Sequence, residues 1–211
     1  MKTTRSRGSW YLYIITFVFL LVTVWVNNGP AQTTEDLTDK VASLKLGLNG
    51  YIIGWEINDE QKKIAAKNPV AGSYKGTYKF SDNGLNVVVD QKSNKVLALY
   101  KNKKNGTRKQ LKEMVAELMD HFDAPTTIAH DKILYWAFNK YGPITEEDFN
   151  KAKKIKATTE LGIIATVKLN SEIIISPDQK DSKTNTDNAT GTVYYIITSD
   201  PMVANFINSH Q

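Results

Sequence analysis

Residues 77–122 read TYKFSDNGLNVVVDQKSNKVLALYKNKKNGTRKQLKEMVAELMDHF. Thr77 to Phe80, Leu85 to Asp90 and Lys95 to Tyr100 are rich in β-branched, aliphatic and aromatic residues, and Ser81-Asp82-Asn83-Gly84 and Lys92-Ser93-Asn94 separate them. Short apolar runs between such turn clusters predict a three-stranded antiparallel meander, because Asn-Gly supplies the left-handed backbone that a tight hairpin needs. The period then changes. Leu111, Met114, Val115, Leu118, Met119 and Phe122 recur at the spacing of one helical stripe, with Lys109, Lys112, Glu113 and Glu117 on the other side. Thr107 and Gln110, three residues apart, form the capping box that starts this helix.

Toward the C-terminus, Ala124-Pro125 stops the helix, and Ile133 to Phe138 is an apolar run on both parities, which predicts a central strand covered on both faces. Thr145 ahead of Glu146, Glu147 and Asp148 predicts a helix to Lys154, since acids suit a helix N-terminus. Ile163 to Leu169 and Glu172 to Ser176 flank Asn170-Ser171 as a hairpin. Pro177 to Gly191 is polar and unpatterned and reads as a mobile loop. Thr192 to Thr198 is a further strand, and Ser199-Asp200-Pro201 opens a helix running to about Asn208. Toward the N-terminus, Tyr51 to Ile57 reads as a strand, and Asn58-Asp59-Glu60 caps a short helix that Asn68-Pro69 ends. The sum is an α+β fold, a mostly antiparallel sheet with about three or four helices, preceded by one N-terminal hydrophobic helix. The domain is expected to span residues 40–211, with a subdomain break near 140–143.

The leader sets the location. Met1 to Arg7 holds Lys2, Arg5 and Arg7 without an acid, and Trp10 to Val26 is an uncharged run of seventeen residues. A basic flank joined to an apolar core is an export signal or an anchor. Trp10, Tyr11, Tyr13 and Trp25 sit near its ends as interfacial aromatics do, whereas Gly29-Pro30-Ala31 has the small residues of a cleavage site. Retention is the favoured reading: residues 1–31 form a single-pass anchor, N-terminus in the cytoplasm, and 32–39 form a mobile polar tether to a domain outside. The alternative is a secreted or periplasmic domain released by cleavage at Ala31.

Three of the formal +5 charges belong to the leader, leaving +2 for residues 32–211, so the domain's charge gives no case for nucleic-acid binding. Cysteine is absent, which excludes a thiolate nucleophile, a disulfide framework and a Cys-based metal site. No Walker, dinucleotide or Gly-x-Ser-x-Gly pattern occurs, and no cofactor is expected. His121, His130 and Asp131 are the candidates for an acid–base site, because imidazole and carboxylate titrate where hydrolysis needs them. Their spacing fits no metal motif. Lys101, Lys103, Lys104, Arg108 and Lys109 form a basic cluster between the meander and the helix, and Lys151, Lys153, Lys154 and Lys156 form another. Such groups attract anionic head groups or wall polymers.

Gly106, Thr107, Leu111, Leu118, Phe122, Pro125, Tyr135 and Trp136 give a Gly-Thr-led amphipathic helix, a proline shortly after it and an aromatic strand. This stretch, Gly106 to Phe138, resembles the motif of the small lipoprotein family of the outer-membrane β-barrel assembly machine. It departs from that family in lacking the lipid-attachment cysteine, in a longer helix, and in Asp123-Ala124-Pro125 where Gly-x-Pro is usual. The resemblance implies a helix-then-sheet substructure and a non-catalytic scaffolding or binding role. The matching positions are core positions, so it transfers no functional residue.

Together these readings predict a membrane-tethered extracytoplasmic binding or scaffold module without catalytic activity. Its partners are the membrane, through the N-terminal helix, and another envelope or membrane protein, with no nucleic acid. An exported hydrolase with a His/carboxylate site is the alternative. Intact-mass measurement of the mature protein should find residues 1–31 still attached; a chain beginning at Gln32 would refute the anchor.

Overall fold

The computed structural model describes residues 34–175 and 189–210. The leader and most of the expected loop, 176–188, lie outside the described residues. The described chain opens with α1 (Thr34–Ser43), the small hairpin β1 (Gly47–Leu48) and β2 (Tyr51–Ile52), and α2 (Asp59–Lys67). Asn58 caps α2 through a capping box with Gln61. The meander follows as β3 (Thr77–Asp82), β4 (Leu85–Asp90) and β5 (Val96–Thr107), and α3 (Arg108–Phe122) begins directly at the Thr107–Gln110 capping box. After α3 come β6 (Thr127–Ala129), β7 (Ile133–Asn139), β8 (Gly142–Pro143), α4 (Glu146–Lys154), a 3-10 turn (Thr158–Leu161), β9 (Ala165–Ser171), β10 (Thr190–Thr198) and α5 (Asp200–Asn208). The β3–β4 turn is made by Asn83 and Gly84 at φ 50° and 81°, the two left-handed residues that a two-residue hairpin demands.

All the strand pairs are antiparallel, and eight strands form one sheet in the order β3-β4-β5-β10-β9-β7-β6, with β8 pairing β7. Strand alternation divides this sheet into two faces. On one lie Phe80, Val87, Leu99, Tyr195, Ile197, Leu169 and Trp136, all buried. Helix α3 covers this face with Leu111, Met114, Leu118 and Phe122. Its far end is pinned where Trp136 Nε1 donates to the Asp123 carbonyl (2.9 Å) and the Phe122 ring meets Phe138 edge-on. The opposite face holds Tyr100, Tyr194, Ile196 and Tyr135, all half-buried, and α4 reaches it through Phe149 against Tyr135.

Five expectations are corrected. Helix α1 begins inside the stretch 32–39 read as a tether, because Leu37 and Val41, four residues apart, bury one helical face; the segment alone contained only the first of them. Tyr51 to Ile57 is not one strand: Tyr51–Ile52 pairs with β1, Glu56 makes only an isolated bridge to Lys95, and Gly54, at φ 83° with Ala42 against it, turns the chain between them. Strand β7 lies one place from the sheet edge rather than at its centre, and its Ile133 and Tyr135 are only half-buried. Asn170-Ser171 is not a hairpin turn; both residues belong to β9, whose hydrogen-bonded neighbours are β7 and the distant β10. Lys140 and Tyr141 make the turn from β7 into β8 (Gly142–Pro143) inside a single compact unit, Thr33–Gln211, so no subdomain boundary falls there. The described residues contain five α-helices, the additional one being α1.

Leu118 is fully buried at the middle of the α3 stripe, whereas Met119 beside it is 41% exposed. Truncating Leu118 to Ala should therefore cost about 2–5 kcal/mol of stability. Denaturant unfolding measures this, and an unchanged midpoint would mean that the stripe is not packed on the sheet.

Candidate functional site

The basic cluster at the β5–α3 junction lines a groove of about 360 Å³ bounded by Lys101, Lys103, Gln110, Glu113, Met114 and Glu117. Lys101 Nζ is 3.1 Å from Glu117 Oε2, and both side chains are partly shielded from solvent. Lys109 stands 3.9 Å from Glu113 on the exposed side of α3, a contact worth little in water. Arg108, the first residue of α3, is half-buried with its Nε enclosed and without a hydrogen bond among the described residues. Lys103 and Lys104 are exposed on β5. The structure thus brings Lys101 and Lys103 to one groove with Glu113 and Glu117, and sets Lys109 beside Glu113. Sequence reasoning assigned Glu113 and Glu117 to the solvent side of α3, and only the placement of β5 under that helix shows whom they face.

His121 and the pair His130–Asp131 are set apart. His121 lies in the last turn of α3, exposed, with Nδ1 2.9 Å from the Glu117 carbonyl. His130 and Asp131 form the β6–β7 turn at φ 52° and 51°, also exposed. Strand β6 and the segment before it lie between these locations in the chain. No hydrogen bond or ion pair joins the three residues among the described residues. Among the described residues no three His, Asp or Glu side chains are placed to hold a metal ion.

A second cleft, of about 440 Å³, opens between β8, α4 and the 3-10 turn. Tyr141, Pro143, Ile144, Ile155 and Leu161 supply its apolar wall, and Lys151, Asp148 and Glu160 its polar rim. Tyr141 is 85% exposed and Ile155 70%, the two largest exposures of big apolar side chains among the described residues. Helix α4 turns Asp148, Lys151, Ala152 and Ile155 toward the cleft, while Phe149 lies on Tyr135 and Thr145 caps the helix by accepting from the Asp148 backbone N–H. The sequence did not mark Tyr141 or Ile155. The sole hint was one apolar residue inside Lys153-Lys154-Ile155-Lys156, a position that helical periodicity reads as incidental.

Five tyrosines, Tyr51, Tyr78, Tyr100, Tyr135 and Tyr195, are held above the ordinary value of about 10, with burial the first cause in each. Burial raises Tyr51, which also donates to Asp82 Oδ2 (2.9 Å), and burial with the Glu117 carboxylate nearby raises Tyr195. Tyr135 is pushed up to about 12 by burial and by Asp200.

Compared with protein-family models, with curated proteins and with solved structures, the chain matches none.

The tyrosines give a pH dependence with a definite sign. Above pH 10 the unfolded chain loses phenolic protons that the folded chain keeps, so stability present below that pH falls as pH rises from about 10 toward 12. Denaturant midpoints measured from pH 8 to 11.5 should fall, and Tyr135→Phe should fall less steeply. Equal slopes for the two proteins would show that Tyr135 titrates alike in both states.

Proposed function

We propose that the chain is a membrane-tethered extracytoplasmic binding module without chemistry of its own, whose folded part meets its partner through the cleft end of the sheet. The tether rests on the leader's basic flank and apolar run. The binding role rests on one observation above the others, the exposure of Tyr141 and Ile155 around an open cleft rimmed by charge. Exposed single apolar residues are ordinary, but two large ones bracketing a cleft keep apolar area in water at a cost that binding would recover. The fold suits a presenting role, since the sheet packs its core under α3 and leaves α4 outside that layer.

Fractionation and complementation test this reading. The full chain should stay with membranes through an alkaline wash, and protease added from outside should reach residues 34–210. In a host lacking the protein, the triple variant His121→Ala, His130→Ala, Asp131→Asn should restore the phenotype as fully as the unaltered chain, and Tyr141→Ser with Ile155→Ser should not. Failure of the triple variant at normal protein level would turn the assignment toward the hydrolase. Full rescue by the Tyr141/Ile155 variant would remove the cleft from the function.

A further inference from the structure

The surroundings of the cleft define its partner chemically. Lys140 Nζ lies 4.8 Å from the centre of the Tyr141 ring, Lys151 lines the cleft, Lys153 and Lys154 complete the last turn of α4, and Lys156 follows at a left-handed φ of 57°. All five are exposed, and none makes an ion pair among the described residues. The acids nearby are fewer and partly engaged. Asp148 accepts from Thr145 Oγ1 (2.8 Å), Glu160 stands on the 3-10 turn, and Glu146 and Glu147 sit in the first turn of α4, Glu147 one turn before Lys151. The Lys101–Lys109 group, by contrast, has Glu113 and Glu117 among its cations.

We infer that this end of the domain rests on an anionic lipid surface, with the five ammonium groups at the headgroup phosphates and Tyr141 and Ile155 in the interfacial layer. The inference deepens the tethered reading above and depends on it for proximity to the bilayer. Charge complementarity selects the occupant: five exposed lysines, without an ion-pair partner among the described residues, beside two exposed apolar side chains match the interface between phosphates and acyl chains. The residue types decide between lipid and protein. Lysine is depleted at protein–protein contacts, where bidentate arginine is preferred, and none of these five cations is arginine. Lysine's long apolar stem instead lets a point charge stay at the phosphates while the neighbouring side chain sinks. A tyrosine is suited to the same depth, with an apolar ring and a polar tip.

The absence of cysteine from the sequence permits a direct test on the full chain. Single variants Ile155→Cys and Tyr141→Cys, and the control Asn83→Cys in the β3–β4 turn, are labelled with an environment-sensitive fluorophore and reconstituted into vesicles. In vesicles rich in phosphatidylglycerol, labels at 155 and 141 should shift to the blue and be quenched by shallow lipid-borne quenchers. The control should do neither. Both signals should disappear in pure phosphatidylcholine and when K140Q, K151Q, K153Q, K154Q and K156Q are combined, and added salt should weaken them. Emission at 155 and 141 equal to that of the control in anionic vesicles overturns the inference. So does a shift that survives neutralisation of the lysines. Retention of the chain in vesicles through an alkaline wash reads the anchor separately, so a lost signal with the chain retained overturns the docking and leaves the tether standing.

Discussion

The architecture depends on one set of hydrogen bonds, those that β10 makes on both its edges. On one side it pairs from Thr190↔Thr107 to Thr198↔Ala98 with β5, and on the other from Val193↔Ser171 to Thr198↔Thr166 with β9. The meander β3-β4-β5 and the group β9-β7-β6 have no other strand between them. Val193, Tyr195 and Ile197, all buried, carry the core across that seam under α3. Without β10 the two groups would each present a long open edge, and the surface that α3 covers would be divided.

This dependence explains which parts of the fold could be read from the sequence. The meander and α3 were legible because each is specified locally: Asn83-Gly84 sets one turn, the Thr107–Gln110 box sets the helix start, and the period changes from two to 3.6 between them. The helices at Asn58, Thr145 and Ser199 were legible for the same reason, each having a capping residue whose side chain accepts a backbone N–H. The partner of β9 was not legible. Asn170-Ser171 carries a local turn signal, but pairing with Tyr194 and Val193 outweighs it, and a pairing across more than twenty intervening residues leaves no mark in either strand alone. The position of β7 was misread because an apolar run on both parities says that two faces are covered and nothing about how far the edge lies.

The candidate sites divide along the same line. Clusters of like charge were visible because they are contiguous in the chain, but their balance was not. Glu117 lies sixteen residues from Lys101 and reaches it only because α3 folds back over β5. The two basic groups consequently differ more in the folded domain than in the sequence, one mixed with carboxylates and the other open. Tyr141 and Ile155 became notable only through exposure, which depends on where α4 is anchored rather than on either residue's own neighbours.

The place of β10 also imposes an order of events on a chain that is made from its N-terminus. Every other strand of the sheet exists before the segment that must lie between them. The meander with α3 can form early from contacts close in sequence, whereas joining the two groups requires closure over long separations and waits for β10. Until then both inner edges are unpaired, so the nascent domain is at its most adhesive just before it is complete, and any machinery that delivers it must handle a chain whose sheet cannot yet close.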